Sequence, residues 1–301
     1  MAFDEVMQEN SRKARHLWDV VEPIAASAYF APEAHSAYQE LGFQGSGGES
    51  GGIQFPDMVA YFISRGACLG KVSGQVIAAA FGVFKRPMVV GAVDAGWQIC
   101  SEPRPVLAAR EAGTVAALSR VLGESPPGLA RATSLLQRAA DAAPGEGRHL
   151  FSGLQSLGYP DTPMGAFWRA ADLVREHRGD SHIAAWIAAD LDACEIGVIT
   201  DVWRGQGLKS WVRTRGWSEE ELDAAIERLR SRGLLEGDGI TGAGWQLRED
   251  IDAATDRMEN RVVAALGDDI DELFSIMEPL ADGAIAGRIY PAAVTWGQPR
   301  P

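Results

Sequence analysis

The sequence predicts a mainly α fold, in which a helical N-terminal domain precedes a C-terminal winged helix-turn-helix module with a short β-hairpin. Two observations predict this fold class. Apolar residues recur with helical spacing along most of the 301 residues, and prolines and glycines separate the segments. Between residues 218 and 258, a capped helix, a short hairpin and a second capped helix follow one another in the order of a winged helix.

The first half of the chain is expected to be helical. Pro23 should end or kink a first helix that begins near Lys13, because proline lacks the amide proton that a helix interior needs. The glycine-rich residues 45–52, GSGGESGG, are expected to form a flexible loop, and no segment here alternates as a strand would. Further short helices are predicted at residues 58–65, 74–85, 89–99, 106–122 and 129–143.

The middle of the chain carries clear helix signals. Thr162 is a predicted N-cap and Pro163 occupies the first helical position. We expect this helix to stop at Gly179 and Asp180 to cap the next one. Residues 153–161 are the predicted linker, which divides the chain into a helical domain at 1–160, a second domain at 161–290 and a tail at 291–301.

The elements of the winged helix are predicted one by one. Ser218 and Glu221 form a capping box, and the helix that follows should bury one apolar face and end at Gly233. Residues 237–239, Gly-Asp-Gly, predict a tight hairpin turn, and Thr241 is expected to precede the last helix of the module. The apolar face of the capped helix consists of Leu222, Ile226 and Leu229.

Charge and cysteine content exclude several classes of protein. The chain has 41 acidic and 28 basic residues, a net charge of −13, which argues against a nucleic-acid coat or a membrane-surface protein. Its three cysteines lack CxxC spacing, so neither a disulfide framework nor a zinc knuckle is expected. The first residues contain no apolar leader segment, so we expect a cytoplasmic protein without a membrane partner.

Two stretches resemble a family. Residues 173–195, LVREHRGDSHIAAWIAADLDACE, and residues 215–218, Arg-Gly-Trp-Ser before the hairpin, resemble actinobacterial proteins described as SalK-like or helix-turn-helix proteins. Residues 20–34, VVEPIAASAYFAPEA, are similar to the opening motif of that family. The resemblance extends over about residues 12–280, and its distinctive core is EHRGDxH.

The resemblance implies an all-helical N-terminal region joined to a MarR-like winged helix, in a family whose biochemical role is not established. The sequence departs from the family pattern at two places. Ala25 stands where relatives often carry a histidine after Glu-Pro-Ile, and residues 45–52 look like an insertion. Any role of that histidine is therefore lost or reassigned in this chain.

The predicted recognition helix does not suit DNA. Its first residues are Glu219, Glu220, Glu221 and Asp223, and these carboxylates would face phosphates. Residues 184–260 contain 16 acidic and 9 basic residues, a net charge of −7, whereas DNA affinity depends on Lys and Arg. Nucleic acid is therefore not an expected partner. The last turn of the same helix argues in favour of DNA binding, because it carries Arg228, Arg230 and Arg232.

The densest group of titratable residues is Arg175–His182. His177 and His182 are candidate acid and base groups, Glu176 or Asp180 would orient an imidazole, and Arg178 would hold an anionic group. A helix–helix corner needs the same residue types without any catalysis, so both interpretations stay open. The five-residue step between the histidines does not fit a zinc helix, so we expect neither a metal nor a cofactor.

Aromatic residues predict a small-molecule pocket near this segment. Packing is their usual role, but a roomy apolar pocket with a few polar groups is the usual form of a ligand site. If residues 29–33 pack near the histidines, Glu33 and both imidazoles would face one cavity, and we expect this. The aromatic candidates for ligand contact are Tyr29, Phe30, Trp97, Trp168 and Trp186.

The sequence thus favours a protein of specialised metabolism that binds an apolar or aromatic small molecule. A cofactor-independent acid/base enzyme, of cyclase or isomerase type, is the first hypothesis, with a winged helix that does not bind DNA. The alternative is a ligand-responsive MarR-like transcriptional regulator, and a protein that only sequesters a ligand is a third. Whether the chain is an enzyme and whether it forms a homodimer stay open.

Overall fold

The computed structural model describes residues 3–291 and is mainly helical, as the sequence predicts. The helices of the first part are α1 (Phe3–Ala25), α2 (Ser27–Phe30), α3 (Pro32–Glu40), α4 (Met58–Gly66), α5 (Gly74–Phe81), α6 (Arg86–Ile99), α7 (Pro103–Leu122), α8 (Leu129–Ala142) and α9 (His149–Gln155). Those of the second part are α10 (Pro163–Ala188), α11 (Ala193–Trp203), α12 (Glu219–Ser231), α13 (Gly242–Met258), α14 (Asn260–Leu266) and α15 (Ile270–Ala286). The helix α1 continues through Pro23 but ends two residues later.

The glycine-rich segment is ordered as a hairpin, so the loop prediction for residues 45–52 is wrong. Strands β1 (Ser46–Ser50) and β2 (Ile53–Pro56) pair antiparallel, with Ser50 opposite Ile53. Gly51 and Gly52 form the two-residue turn with φ of 61° and 77°, the left-handed region that such a turn requires and glycine favours. The glycines of this segment therefore build a turn.

The helix α10 is continuous, so the predicted stop at Gly179 is also wrong. Thr162 caps α10 by accepting a hydrogen bond from the amide of Gly165, as predicted, but the helix runs to Ala188. The Asp180 side chain does not cap a helix that follows it but accepts a hydrogen bond from the backbone N–H of Phe151 in the first turn of α9. Packing of α10 against several helices outweighs the roughly 1 kcal/mol that a glycine costs inside a helix.

The predicted elements of the C-terminal part are present in their predicted order. The helix α12 begins with a complete capping box between Ser218 and Glu221, and its predicted apolar face is buried. Strands β3 (Leu235–Glu236) and β4 (Gly239–Ile240) flank the tight turn. Thr241 then caps α13 through a hydrogen bond from the amide of Gly244.

Two hydrophobic cores organise the described residues. The larger contains residues 14–174 and again 262–290, and we call its elements, α1–α9, the first part of α10, α14 and α15, the helical body. The smaller contains residues 185–251, from the end of α10 through α13, and we call α11–α13 with β3 and β4 the hairpin module. The predicted linker at residues 153–161 covers the end of α9 and the turn before α10, and both helices contribute to the larger core. Apart from Pro291, the predicted tail at 291–301 lies outside the described residues.

The helices α3 and α7 pack closely where Gly113 meets Ala34. A Cβ atom added at Gly113 would lie 2.4 Å from the Cα atom of Ala34. Backbone atoms cannot move aside as a flexible side chain can, so this contact depends on glycine. Among residues 3–291, no helix is both long and apolar enough to cross a membrane.

We expect Gly113→Ala to lower the free energy of unfolding by about 1–3 kcal/mol, because it forces α3 and α7 apart. Gly91→Ala in α6 is the matched control, since a Cβ atom there meets no other atom within 4 Å. Alanine at that position should stabilise the helix by up to about 1 kcal/mol. Urea unfolding of both variants measures the difference, and equal effects of the two substitutions would contradict the packing argument.

Candidate functional site

The residues of the EHRGDSH segment lie on different faces of α10 because the helix is continuous. Glu176 and Asp180 are one helical turn apart and both are buried in the helical body. His177 and Ser181 face the residue that joins α13 to α14, and His182 faces α13. The segment therefore links the helical body to the hairpin module along one helix.

Glu176 is the centre of a buried ionic network. Its carboxylate accepts hydrogen bonds from Nε and Nη2 of Arg65 at 2.8 and 2.7 Å, and from Nη1 of Arg175 at 2.7 Å. Burial alone would raise the pKa of Glu176, but Arg175 and Arg65 hold it well below its usual range. This carboxylate is therefore ionised at every physiological pH, and it holds two arginines in fixed positions.

Tyr29 lies between this network and a second ion pair. Arg110 binds Asp172 through Nη1 at 2.7 Å and donates from Nη2 to the hydroxyl of Tyr29 at 3.2 Å. The Tyr29 hydroxyl in turn donates to Glu176 at 3.4 Å, and burial raises its pKa. Trp168, another predicted ligand contact, packs with its ring 4.8 Å from the Arg110 guanidinium. Tyr29, Trp168 and Glu176 are thus predicted site residues that the structure brings together.

The network is partly open to solvent. The side chains of Arg65 and Arg175 are 11% and 12% exposed, whereas Glu176 beneath them is 1% exposed. Glu22 of α1 accepts a hydrogen bond from Nε of Arg175 at 2.9 Å, and the Tyr61 hydroxyl accepts one from Nη1 of Arg65 at 3.0 Å. We use the name arginine cleft for the partly exposed, hydrogen-bonded side chains of Glu22, Tyr61, Arg65 and Arg175.

His177 is completely buried and bonds to Glu259. Its Nδ1 lies 2.8 Å from Oε2 of Glu259, and Ser181 donates to Oε1 of the same carboxylate at 2.9 Å. The imidazole meets the ring of Phe151 edge-on at a centroid distance of 5.0 Å. Glu259 lies between α13 and α14, so this cluster fixes the point at which the chain passes from the hairpin module back to the helical body.

His182 makes a separate contact with α13. Its Nδ1 lies 3.2 Å from Oγ1 of Thr255. Burial, with a further contribution from Arg248, lowers the pKa of His182 to about 3. The imidazole is therefore neutral at pH 7, and its pKa does not suit a group that exchanges protons near neutrality.

The remaining charged candidates also have structural partners. Burial raises the pKa of Asp180 to about 7, with a further contribution from Glu176. Arg178 pairs with Asp256 of α13 at 2.9 Å and lies at the edge of a small cavity. Glu33 pairs with Arg120 beside a shallow surface cleft between α3 and α7. No residue of the EHRGDSH segment lines that cleft.

Phe30, Trp97 and Trp186 lie in different parts of the molecule, and Trp168 has one further contact. Phe30 packs edge-on against Tyr290 and Phe55. The indole of Trp97 donates to the carbonyl of Val72 at 3.0 Å, and that of Trp168 to the carbonyl of Ala25 at 3.3 Å. Trp186 packs in the core of the hairpin module.

Sequence reasoning missed two arginines of the network, Arg65 and Arg110. Arg65 follows the apolar residues of α4 and looks like an ordinary cation in the last turn of a helix. Arg110 did leave a signal, because it lies in helical register with Val106, Gly113 and Ala117, and all four are buried on one face of α7. A charged residue on the apolar face of a predicted helix indicates a buried ion pair.

The exposed face of α12 is acidic in the structure too. Glu219, Glu220, Asp223 and Glu227 are exposed on it. The basic side chains nearby have partners within the protein: Lys209 with Glu219 and Asp223, Lys85 with Glu221, Arg228 with Glu195, Arg230 with the Gly237 carbonyl, and Arg232 with the Asp190 carbonyl. Residues 219–227 of α12 contain no basic side chain, and Lys209 and Lys85 neutralise part of their acidic surface.

The chain matches a sequence family described as a helix-turn-helix family over residues 14–291, and it belongs to this family. No curated protein matches it. No solved structure matches it either. Within residues 3–291, no cluster of three or more histidine, cysteine or acidic side chains is arranged to hold a metal ion.

We expect Glu176→Gln to destabilise the protein by about 3–5 kcal/mol, because it removes a buried carboxylate that two largely covered guanidinium groups share. Urea unfolding at pH 7 measures this loss. Glu9→Gln is the control, since Glu9 forms its ion pair with Arg12 at the surface and should leave the unfolding midpoint unchanged. A loss below about 1 kcal/mol for Glu176→Gln would contradict the role of Glu176 as the centre of the network.

His182 should make the protein less stable in acid. Its pKa is about 3 in the fold and about 6.5 in the unfolded chain, so its stabilisation is complete above pH 6.5 and is lost as the pH falls towards 3. We expect the advantage of wild type over His182→Gln to shrink by about 1–2 kcal/mol between pH 8 and pH 5. The raised pKa of Asp180 makes stability change with pH in the opposite direction, and comparing the two proteins cancels this contribution. A stability difference between wild type and His182→Gln that does not change with pH would refute the lowered pKa of His182.

Proposed function

We propose that this protein binds a small molecule at the arginine cleft and that its helix-turn-helix elements form a winged helix that does not read DNA. One observation carries the proposal: several ionised side chains and aromatic rings converge at a partly open site where the hairpin module meets the helical body. Buried ion pairs of this kind contribute little net stability, because desolvation offsets their attraction. Clusters of strongly perturbed ionisable groups are typical of binding and catalytic sites.

Tyr61 is the partly exposed ring of the cleft and suits a ligand with an apolar or aromatic part, and the buried rings behind it hold it in place. Tyr61 contacts the rings of Tyr29, Phe62, Phe81 and Phe84, with centroid distances between 5.0 and 5.9 Å. The Arg65 guanidinium lies 4.5 Å from the centroid of Phe81. An apolar wall with a few fixed polar groups is the usual composition of a small-molecule site.

Proton transfer by His177 and His182 is not part of this proposal. Both imidazoles bond to α13 or to its junction with α14, and the pKa of His182 is too low for acid/base work near pH 7. We infer that these histidines hold α10 against the hairpin module. Their role is then positional, and the ligand chemistry belongs to the cleft formed by Arg65 and Arg175.

The winged helix is proposed to serve assembly of the site. The indole of Trp217 donates to the carbonyl of Val83 at 3.3 Å, and the Lys85 ammonium binds Glu221 at 2.7 Å, so the start of α12 is held against the α5–α6 connection. A recognition helix needs a free N-terminal half to enter the major groove. Here that half contacts the helical body and presents acidic side chains outwards.

We expect no retention of the wild-type protein on duplex DNA at low salt, whereas a DNA reader binds and is released as salt rises. The variant Glu219→Lys/Glu220→Lys/Asp223→Lys should gain salt-sensitive retention, because it reverses the charge of the exposed face. A matched control with the same charge change on exposed sites of the helical body, Glu102→Lys/Glu124→Lys/Glu146→Lys, should not.

Salt-sensitive retention of the wild type would refute the second half of the proposal and favour a ligand-responsive regulator. The first half is tested by thermal unfolding with a panel of neutral and anionic aromatic compounds. Ligands that bind the folded state raise the unfolding temperature in proportion to their occupancy. If no compound of either class raises it, the binding function is wrong.

A further inference from the structure

Arg215 is fixed at the boundary between the hairpin module and the helical body. Its backbone carbonyl accepts a hydrogen bond from the amide of Lys85 at 2.9 Å. Gly216, which follows, has a φ of +86°, and a Cβ atom there would lie 2.4 Å from the sulfur of Met88. The backbone of this turn is therefore held tightly against the helical body, and the Arg215 side chain starts from a defined position.

Two aromatic rings orient the Arg215 guanidinium. Its central carbon lies 3.5 Å from the centroid of Trp211 and 4.5 Å from that of Phe84. Rings stacked on a guanidinium cover its faces but cannot accept its N–H groups, which point outwards in its plane. The Nε atom is buried without a hydrogen-bond partner, and none of the ion pairs within residues 3–291 includes Arg215.

The carboxylates near Arg215 are bound to other groups. Glu176 and Glu22 bind Arg65 and Arg175, the two other arginines near it. The carboxylate of Asp201 accepts hydrogen bonds from the backbone N–H groups of Trp211 and Val212 at 3.0 and 3.1 Å. Arg215 is thus a cation without a carboxylate of its own among the described residues.

The pKa of Arg215 also reflects the lack of a neighbouring carboxylate partner. Burial lowers the pKa of Arg215 to about 10, Arg65 and Arg175 add to this effect, and Tyr61 and Asp201 oppose it. The group is still charged at pH 7, so a partly buried cation lies beside the cleft without a carboxylate partner. A bound anion would supply the missing charge and accept hydrogen bonds from the outer N–H groups of the guanidinium.

We propose that Arg215, with Tyr61 beside it, binds the oxyanion of the small-molecule ligand, a carboxylate or phosphate group. This inference rests on the proposed function, because it names the chemical class of the ligand for the same cleft. The fork of a guanidinium matches two oxygens of a carboxylate or phosphate in one plane. The stacked rings of Phe84 and Trp211 fix the orientation of that plane before the ligand arrives.

The test compares Arg215→Met with Arg213→Met on the full-length chain. Arg213 is two residues away on the same turn and is 58% exposed, so its loss removes an equal charge without touching the cleft. The probes are benzoate and inorganic phosphate as anions and benzamide as the neutral counterpart, in a buffer of low chloride concentration. Thermal unfolding at rising probe concentration gives the apparent affinity of each protein.

We expect benzoate or phosphate to raise the unfolding temperature of wild type and Arg213→Met. The apparent affinity of Arg215→Met should be at least about tenfold lower, because one charge-assisted pair is lost. Arg215→Lys should fall between them, since a lysine keeps the charge but not the fork. Without probe, Arg215→Met should unfold at the same or a higher temperature, because a partly buried charge without a carboxylate partner is replaced by an apolar chain of similar length.

Equal anion affinities of wild type and Arg215→Met would overturn the proposal, and so would the absence of any response to both anions. If benzamide binds all variants equally while the anions do not bind, the anion inference fails and the proposed small-molecule function stands. If neither benzamide nor the anions bind, this inference fails, and the wider aromatic panel decides the proposed function separately. A fall in the unfolding temperature of probe-free Arg215→Met would assign Arg215 a structural role instead.

Discussion

The shared carboxylate of Glu176 is the constraint on which the rest of the structure depends. It holds Arg65 of α4 and Arg175 of α10, and through Arg175 it reaches Glu22 of α1. Three helices that are distant in sequence are thereby fixed around one buried charge. Because a buried carboxylate is tolerated only with such partners, none of these helices can move without exposing an unpaired ion.

The position of this network on α10 also explains why that helix contributes to both hydrophobic cores. The first part of α10 carries Asp172 and Glu176 into the helical body, and its last turns carry Trp186 into the hairpin module. Between them, His177 and His182 bond to the end of α13. Residues that suggest proton transfer in the sequence lie in the structure as connections between packed helices, and the open, charged surface lies on the neighbouring face.

This member of a helix-turn-helix family has an acidic surface along the first turns of α12. The exposed side chains of residues 219–227 are mostly acidic, and the arginines of that helix lie in its last turn. The turn before α12 places Arg215 against Trp211 and Phe84. In the proposed function this turn supplies part of a ligand site, since function follows the side chains and not the topology.

Local signals determined much of this protein from the sequence alone. The capping groups Thr162, Ser218 and Thr241 act within three residues of their partners, so their helices begin where the sequence predicts. The acidity of α12 is likewise visible in four side chains. Only the tertiary structure decided that α10 continues through Gly179 and that residues 45–52 pair as a hairpin. It alone also brought Arg65, Arg175 and Arg215 near one another, because contacts between residues far apart in the chain leave no local pattern in the sequence. In each case the free energy of packing exceeds the conformational preference of any single residue.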